Sequence, residues 1–577
     1  YKPGDNNYML RKENPYPGLP DTDWMDLVLR TAKTQSIGFS ITSGTDKTKL
    51  YISGNYLNQE GAVLTQKFER YTTRLNISHQ LNDWLEFGAN TNFSFSHNDR
   101  VPGSNLGSTI MARALPQRPF DRPFKPNGEY YVGGTEDLIY HNPIQILNEE
   151  NTFLNTHRVL GNFYGTIKLT QDISFKSSFG ADLTYTRDNV HYNEKHPYGT
   201  GVGRLNDLRR FYTNVLWENT LNYNKNFNKL DVNALAGYSY QKLTNSTIGI
   251  DGRGFPSPSF DVLSVASEIT EATTGLSESG LLSLFGRANL SWDGKYLLSL
   301  SLRADGSSKF APDNRWGYFP AVSAGWNISN EEFWGWQHTQ AKIRASYGAT
   351  GNQDGISSYA YQAQMSGGRN YGLQSGIAVS TNGNYDLTWE TARQFDVGID
   401  LSLLKGKLNI TADYFIKNTD NLLYSKPEAA TSGFTSIISN IGSMRNTGLE
   451  FLVSTNLNFG QLQWTSEFNI SFVKNKLTSL IGDDALLIGA NRTLKVGEEV
   501  GSHYIYRMLG IYQDDKDVPA SFYASGVRAG DVIYEDVDNN GIIDVNDRQI
   551  VGSSNPDFYG GWNNSFRYKN FDLNFFF

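Results

Sequence analysis

The sequence predicts an all-β protein: a transmembrane antiparallel β-barrel. Three observations point to it. Long stretches alternate apolar with polar residues, tight turns alternate with long connections, and no run of 18 or more apolar residues is present to form a membrane helix. Across residues 408–417, Leu408, Ile410, Ala412, Tyr414 and Ile416 share one face, and Asn409, Thr411, Asp413, Phe415 and Lys417 share the other. Across 462–472, Leu462, Trp464, Phe468, Ile470 and Phe472 oppose Gln463, Thr465, Glu467, Asn469 and Ser471. A strand with two such faces separates lipid from water.

The elements follow from the turn residues. The first strand is expected near 36–44, entering the turn Thr45-Asp46-Lys47, with residues 1–35 as an extracellular loop. Further tight turns are expected at Leu81-Asn82-Asp83, Thr170-Gln171-Asp172, Asn226 to Lys229, Asp293-Gly294-Lys295, Lys405-Gly406-Lys407, Phe459-Gly460-Gln461 and Lys569-Asn570, with a longer one from Asn330 to Thr339. Each is flanked by strands of about ten residues, the length a tilted membrane strand needs. Long connections fall at 97–155, 188–209, 245–281, 351–391, 420–445 and 476–557, with shorter ones near 59–65 and 305–315. Short turns belong on the periplasmic side and long loops outside. Two strands per hairpin give about 18 strands, the last reaching Phe577. Residues 36–577 are therefore strands, turns and loops of one β-barrel domain. On this tally 577 residues make most of a barrel, because a closed wall leaves no unpaired edge in hydrocarbon.

Composition agrees. Aromatic residues are 13% of the chain and hydrophobic ones 39%, which suits an apolar outer face, a polar lumen and aromatic rims. Cysteine is absent, so disulfides and thiolate chemistry are excluded. A net charge of −8 argues against nucleic acid. A soluble sandwich also alternates, with its apolar faces inward. Here the turn asymmetry, the strand length and the lack of covering helices favour the membrane. Asp231, Lys168, Arg344, Asp396, Asp400 and Glu467 are then expected to face water in the lumen. No export signal begins the sequence at Tyr1; any such signal is expected to have been removed or to lie upstream.

Several stretches resemble one family. DTDWMDLVLRTAKTQSIGFSITSGTDKTKLYISGNYLNQEG (21–61) and GRANLSWDGKYLLSLSLRADGSSKFAPDNRWGYFPAVSAGWNISNE (286–331) are similar to barrel segments of SusC/RagA-like TonB-dependent transporters. So are IRASYGATGNQ (343–353), LTWETARQFDVGIDLSLLKGKLNITADYFIKNTDNLL (387–423), NIGSMRNTGLEF (440–451) and AGDVIYEDVDNNGIIDVNDRQIVGSSNPDFYGGWNNSFRYKNFDLNFFF (529–577). The resemblance implies a 22-stranded barrel plugged by an N-terminal domain. It also implies a location in the outer membrane, among its lipids, and a SusD-like surface lipoprotein as lid. The TonB–ExbB–ExbD complex would power import of glycans or peptides. On that pattern a plug domain and a TonB box are expected upstream, with one strand before residue 1 and about three beyond Phe577.

The sharpest chemical motif is Asp536-Val-Asp538-Asn-Asn540-Gly541-Ile542-Ile-Asp544-Val-Asn-Asp547. A calcium loop of the EF-hand type places oxygens at positions 1, 3, 5, 7, 9 and 12 and glycine at 6. Those places hold Asp536, Asp538, Asn540, the Ile542 carbonyl, Asp544 and Asp547, with Gly541 at the turn. Ca²⁺ bracing an outside loop is the expectation; the alternative is an Asx-turn loop without an ion. Position 12 is Asp where Glu would chelate with both oxygens.

Tyr130, Tyr131, Tyr198, Tyr359, Tyr361 and Tyr371 lie in outside loops, where loop packing or contact with the lid is expected before sugar stacking. Trp334 and Trp336 are expected in an interface girdle. The eight histidines are scattered and form no H-E-x-x-H, and no nucleophile elbow or phosphate loop occurs. Loop flexibility is the expected reason for Gly199, Gly201 and Gly203. No enzyme activity and no obligatory cofactor are expected. The function read from the sequence is active outer-membrane import of bulky nutrients. A passive porin and a surface binding or adhesion barrel are the alternatives.

Overall fold

The computed structural model describes residues 20–100, 110–131, 141–336, 338–372, 374–480, 482, 485–488 and 491–577. Residues 1–19 of the expected first loop lie outside the described residues, as do parts of the connections at 97–155 and 476–557. Eighteen strands make the large sheet. They are β1 Thr34–Gly44, β2 Thr48–Glu60, β3 Lys67–Asn82, β4 Leu85–Asp99, β5 Glu150–Lys168 and β6 Ile173–Tyr192. Then come β7 Arg204–Phe227, β8 Leu230–Arg253, β9 Glu268–Trp292, β10 Tyr296–Ser307, β11 Trp316–Asn327 and β12 Gln340–Asn352. The last six are β13 Glu390–Leu403, β14 Leu408–Asp420, β15 Gly442–Phe459, β16 Leu462–Leu480, β17 Tyr559–Tyr568 and β18 Phe571–Phe576. Each tight turn read from the sequence joins two of these strands.

The chain divides into two compact units. The first comprises residues 1–219 and 239–280. Within it β1 to β6 pair consecutively and antiparallel. The second comprises 220–238 and 281–577, and within it β10 to β18 pair in the same way.

Burial decides which face points out. In β10, Tyr296, Leu298, Leu300 and Leu302 are exposed, while Ser299, Ser301 and Arg303 between them are half-buried. In β11, Trp316, Tyr318 and Val322 are exposed and Ala321 and Ser323 are not. Leu302 is 55% exposed. A chain folding in water hides such side chains; this one displays them in rows. The outward face is therefore made for hydrocarbon. On that face of the first unit an aromatic ladder crosses six neighbouring strands: Tyr56, Tyr71, Phe95, His157, Tyr185 and Phe211, with successive ring centroids 4.7 to 6.3 Å apart. It is the aromatic rim that the composition predicts.

One expectation needs correction. Most of the strands are longer than about ten residues, reaching 24 in β7 and β8 and 25 in β9. Antiparallel ladders satisfy backbone groups in water as well as in lipid, so hairpins continue past the apolar band. The connections at 188–209 and 245–281 shrink accordingly to 193–203 and 254–267.

The loops carry small cores of their own. In the first unit Trp24, Val28, Ile110, Ala114, Ile146 and Leu147 cluster, joining α1 Ile110–Ala114 to α2 Pro143–Asn148. Asn142, fully buried, caps α2 by accepting from the Ile144 and Gln145 amides, and donates to the Pro123 carbonyl at 2.7 Å. In the second unit Phe310, Phe319, Ile356, Leu387 and Trp389 cluster beneath the loops.

Candidate functional site

The polar face of β12 to β14 concentrates charge. Arg344 on β12 lies 3.7 Å from Asp396, 3.1 Å from Asp400 and 2.6 Å from Asp413. The register sets Arg344 opposite Gly398, and Gly398 opposite Asp413, so one guanidinium reaches three carboxylates. Gly398 makes room: a Cβ there would fall 2.2 Å from the Asp413 carboxylate and 2.7 Å from the Arg344 guanidinium carbon. The expected water-facing residues Arg344, Asp396 and Asp400 are thus brought together, and Asp413 joins them. Lys168 and Glu467 fall on the polar faces of β5 and β16, as their registers require.

The Asp-rich loop folds as a series of local turns. Carboxylate oxygens of Asp536, Asp538 and Asp547 lie within 4.8 Å of one another. Asp536 accepts from the Gly541 amide at 2.7 Å, with Gly541 at φ 80°, as the sharp turn demands. Asp547, wholly buried, accepts from the amides of Val537 and Asp544 at 2.8 and 2.7 Å. The Asp544 amide is the main cause holding its carboxyl below the usual range. Asn540 and Asp544 turn partly to local work: Asn540 accepts from the Ile542 amide, and Asp544 caps a short 3₁₀ turn by accepting from Asn546. Three of the six expected ligands therefore converge. Three carboxylates this close suit a hard divalent cation.

The structure also assembles a group that no sequence motif marks. His141, His191 and His196 come from two different loops and the end of β6; His141 and His196 pack on Tyr198, and His191 meets Phe255 edge-on at 5.7 Å. The His196 ring stacks on Tyr192 at 4.4 Å, and its Nε2, buried and without a hydrogen-bond partner among the described residues, lies 3.8 Å from a Glu150 oxygen. Burial, reinforced by the nearby His141 and His191, lowers the His196 pKa to about 4. In the sequence these histidines are scattered, His141 fifty residues before His191, and no spacing marks them as a group.

A family model described as the beta-barrel of the TonB dependent receptor-like proteins matches residues 114–576. The chain belongs to the TonB-dependent receptors. TonB-dependent receptor P3 of Formosa agariphila is 33% identical across 98% of this chain and 59% of that protein. TonB-dependent receptor SusC of Bacteroides thetaiotaomicron is 26% identical across 97% of this chain and 58% of that protein. A solved structure of the RagAB peptide transporter superposes with a TM-score of 0.85 at 25% identity, covering 96% of this chain and 63% of that one. The chain spans about three fifths of the length of its curated relatives. This TonB-dependent receptor is of the SusC/RagA type, a barrel of the outer membrane, and its polar face is the lumen wall.

Most of the receptor's outside-loop tyrosines are packing residues. Tyr130 donates to Glu149 at 2.9 Å and packs on Phe124, Tyr131 packs against the Trp24 cluster, Tyr198 belongs to the histidine group, and Tyr361 meets Tyr385 edge-on. Tyr371 differs, at 91% exposed. Trp334 and Trp336 lie 5.2 Å apart in the β11–β12 turn, and Trp336 is exposed. The glycines of the 199–203 loop are there for shape, which corrects the flexibility reading. Gly201 and Gly203 take φ near 80°, and a Cβ on Gly199 would fall 2.0 Å from the Asn193 carbonyl.

Proposed function

We propose that this chain is the barrel of an active importer, drawing bulky nutrients through the outer membrane as oligosaccharides or other glycans, or as peptides. Energy comes from the TonB–ExbB–ExbD complex, and a SusD-like surface lipoprotein closes over the outside loops. The observation that carries the reading is the likeness, over nearly all of this chain, both to a receptor named SusC and to the RagAB peptide transporter. The hydrogen-bonding lumen wall around Arg344 and the built outside loops support it. The test is growth of a deletion strain on separate panels of glycans and peptides, with uptake measured before and after collapse of the proton-motive force. Energy-dependent uptake of one cargo class supports the proposal. Uptake that survives collapse points to a passive porin, and ligand binding with no growth defect points to an adhesion barrel.

We propose further that the 536–547 loop takes Ca²⁺ as a structural brace, with Asp536, Asp538 and Asp547 as the first ligands and Asn540, Asp544 and the Ile542 carbonyl completing the shell. The support is the convergence of three carboxylates. Chelation should raise protease cleavage within this loop and added Ca²⁺ should reverse it; unchanged cleavage would leave an ion-free Asx-turn loop.

A further inference from the structure

We propose that the lipid-facing side of β12 to β16 carries a binding site for the anionic phosphate headgroup of a membrane lipid. The registers line up cations at one level of the wall. Arg393 stands opposite Asn418, Asn418 opposite Arg445, and Arg445 opposite Lys476. Two residues nearer the tight turns, Phe395 stands opposite Ile416, Ile416 opposite Thr447, and Thr447 opposite Lys474. Side chains two residues apart share a face, so Arg393, Arg445, Lys474 and Lys476 project on the side of Phe395 and Ile416, away from Arg344 and the lumen. All four cations are exposed. They sit where the apolar band ends and the strands approach the long outside loops.

The charges are mostly unspent. Asp420 pairs with Arg393 at 2.5 Å. Arg445 donates its Nε to Asn418 at 2.7 Å, which leaves the rest of its guanidinium fork free. Among the described residues no carboxylate lies within 4.0 Å of Arg445, Lys474 or Lys476. An excess of cations at the headgroup level of a lipid-facing wall matches a phosphate, which Arg binds through paired N–H groups and Lys as a point charge. One recess holds Arg393, Asn418, Arg445 and Thr478, with Asp420 paired to Arg393, beside Tyr347, Phe395 and Ile416; Lys474 and Lys476 share the face outside that lining. That recess joins a charged upper half to an apolar lower half. A free anion uses only the upper half; a lipid uses both, with its acyl chains running down the aromatic and aliphatic rows.

The test uses the full-length receptor purified in detergent and native mass spectrometry. Dioleoylphosphatidylglycerol, dioleoylphosphatidylcholine and inorganic phosphate are the probes. The wild type should retain phosphatidylglycerol at about tenfold lower lipid concentration than phosphatidylcholine, and excess phosphate should not displace it. Arg445→Gln/Lys474→Gln/Lys476→Gln should remove that preference and leave phosphatidylcholine retention unchanged. Lys474→Arg/Lys476→Arg should keep it. A wild type without preference, or a triple Gln variant that retains phosphatidylglycerol as well as the wild type, overturns the proposal. Displacement by phosphate assigns the cations to a free anion and overturns the lipid reading. The wild-type comparison decides the matter even if a variant fails to fold.

Discussion

At the scale of single residues, two side chains show how the fold uses charge. Arg344 bridges three carboxylates on the lumen wall with one positive charge, and removing it leaves Asp396, Asp400 and Asp413 to repel one another unscreened. The group is half-exposed, so water screens part of that repulsion. Arg344→Ala should therefore cost about 1–2 kcal/mol, and a second change, Asp413→Asn, should recover part of the loss. Urea unfolding in lipid vesicles, followed by tryptophan fluorescence, measures both; equal stability of wild type and Arg344→Ala would mean the network contributes nothing. His196 makes a pH prediction. Its pKa in the folded chain, about 4, lies below the ordinary histidine value of 6.5, because burial disfavours the imidazolium. Its contribution to local stability is whole above 6.5 and is lost as the pH falls from 6.5 towards 4. The loss is at most about 3 kcal/mol. Hydrogen exchange in the 193–203 loop should therefore accelerate across that window in wild type. His196→Gln should flatten the change, whereas an identical acid response in the variant would assign it to His141 or His191, whose pKa values burial also lowers.

At the scale of the strand, period two becomes a partition between two solvents. Adjacent residues of β10 give the cleanest contrast. Leu300 points outward and is exposed; Ser301 lies on the polar face and is half-buried. Leu300→Arg sets a charge in hydrocarbon and should destabilise the folded receptor by about 2–4 kcal/mol. Ser301→Arg should cost less than about 1 kcal/mol, since it adds one more charge to a hydrated wall. Reversible folding into phospholipid vesicles, read by the gel mobility of unheated samples, separates the two. If the Ser301 variant were the damaging one, the assignment of faces would be wrong. The same alternation explains why the hairpins run beyond the membrane: a ladder's backbone bonds are indifferent to what surrounds it, and only its side chains must change where lipid gives way to water.

At the scale of the whole molecule, the contrast is between an open pore and a gated importer. A polar wall of this kind conducts ions if nothing occupies it. The full-length receptor, reconstituted in a planar bilayer, should show no steady conductance, and opening should require coupling to its energy source. Steady channels in the purified receptor would favour the porin reading.

The sequence by itself determined the class of the fold, its turns and the fact that each strand has two unlike faces. Tight turns at Asp293-Gly294-Lys295 and Lys405-Gly406-Lys407, and alternation through 408–417 and 462–472, are local signals, and strand pairing between chain neighbours keeps them local. The tertiary structure alone decided what long-range register brings together. Arg344 reaches Asp413 across an intervening strand, His141 and His196 come from separate loops to the Tyr198 ring, and three of the six ligands expected in the 536–547 loop converge. It also decided where each strand ends. Residues beyond the apolar band obey no solvent contrast, so period two fades there while the hydrogen-bonded ladder continues. Alternation says only that two faces differ. The exposure of Leu298, Leu300 and Leu302 beside half-buried serines shows which one meets lipid.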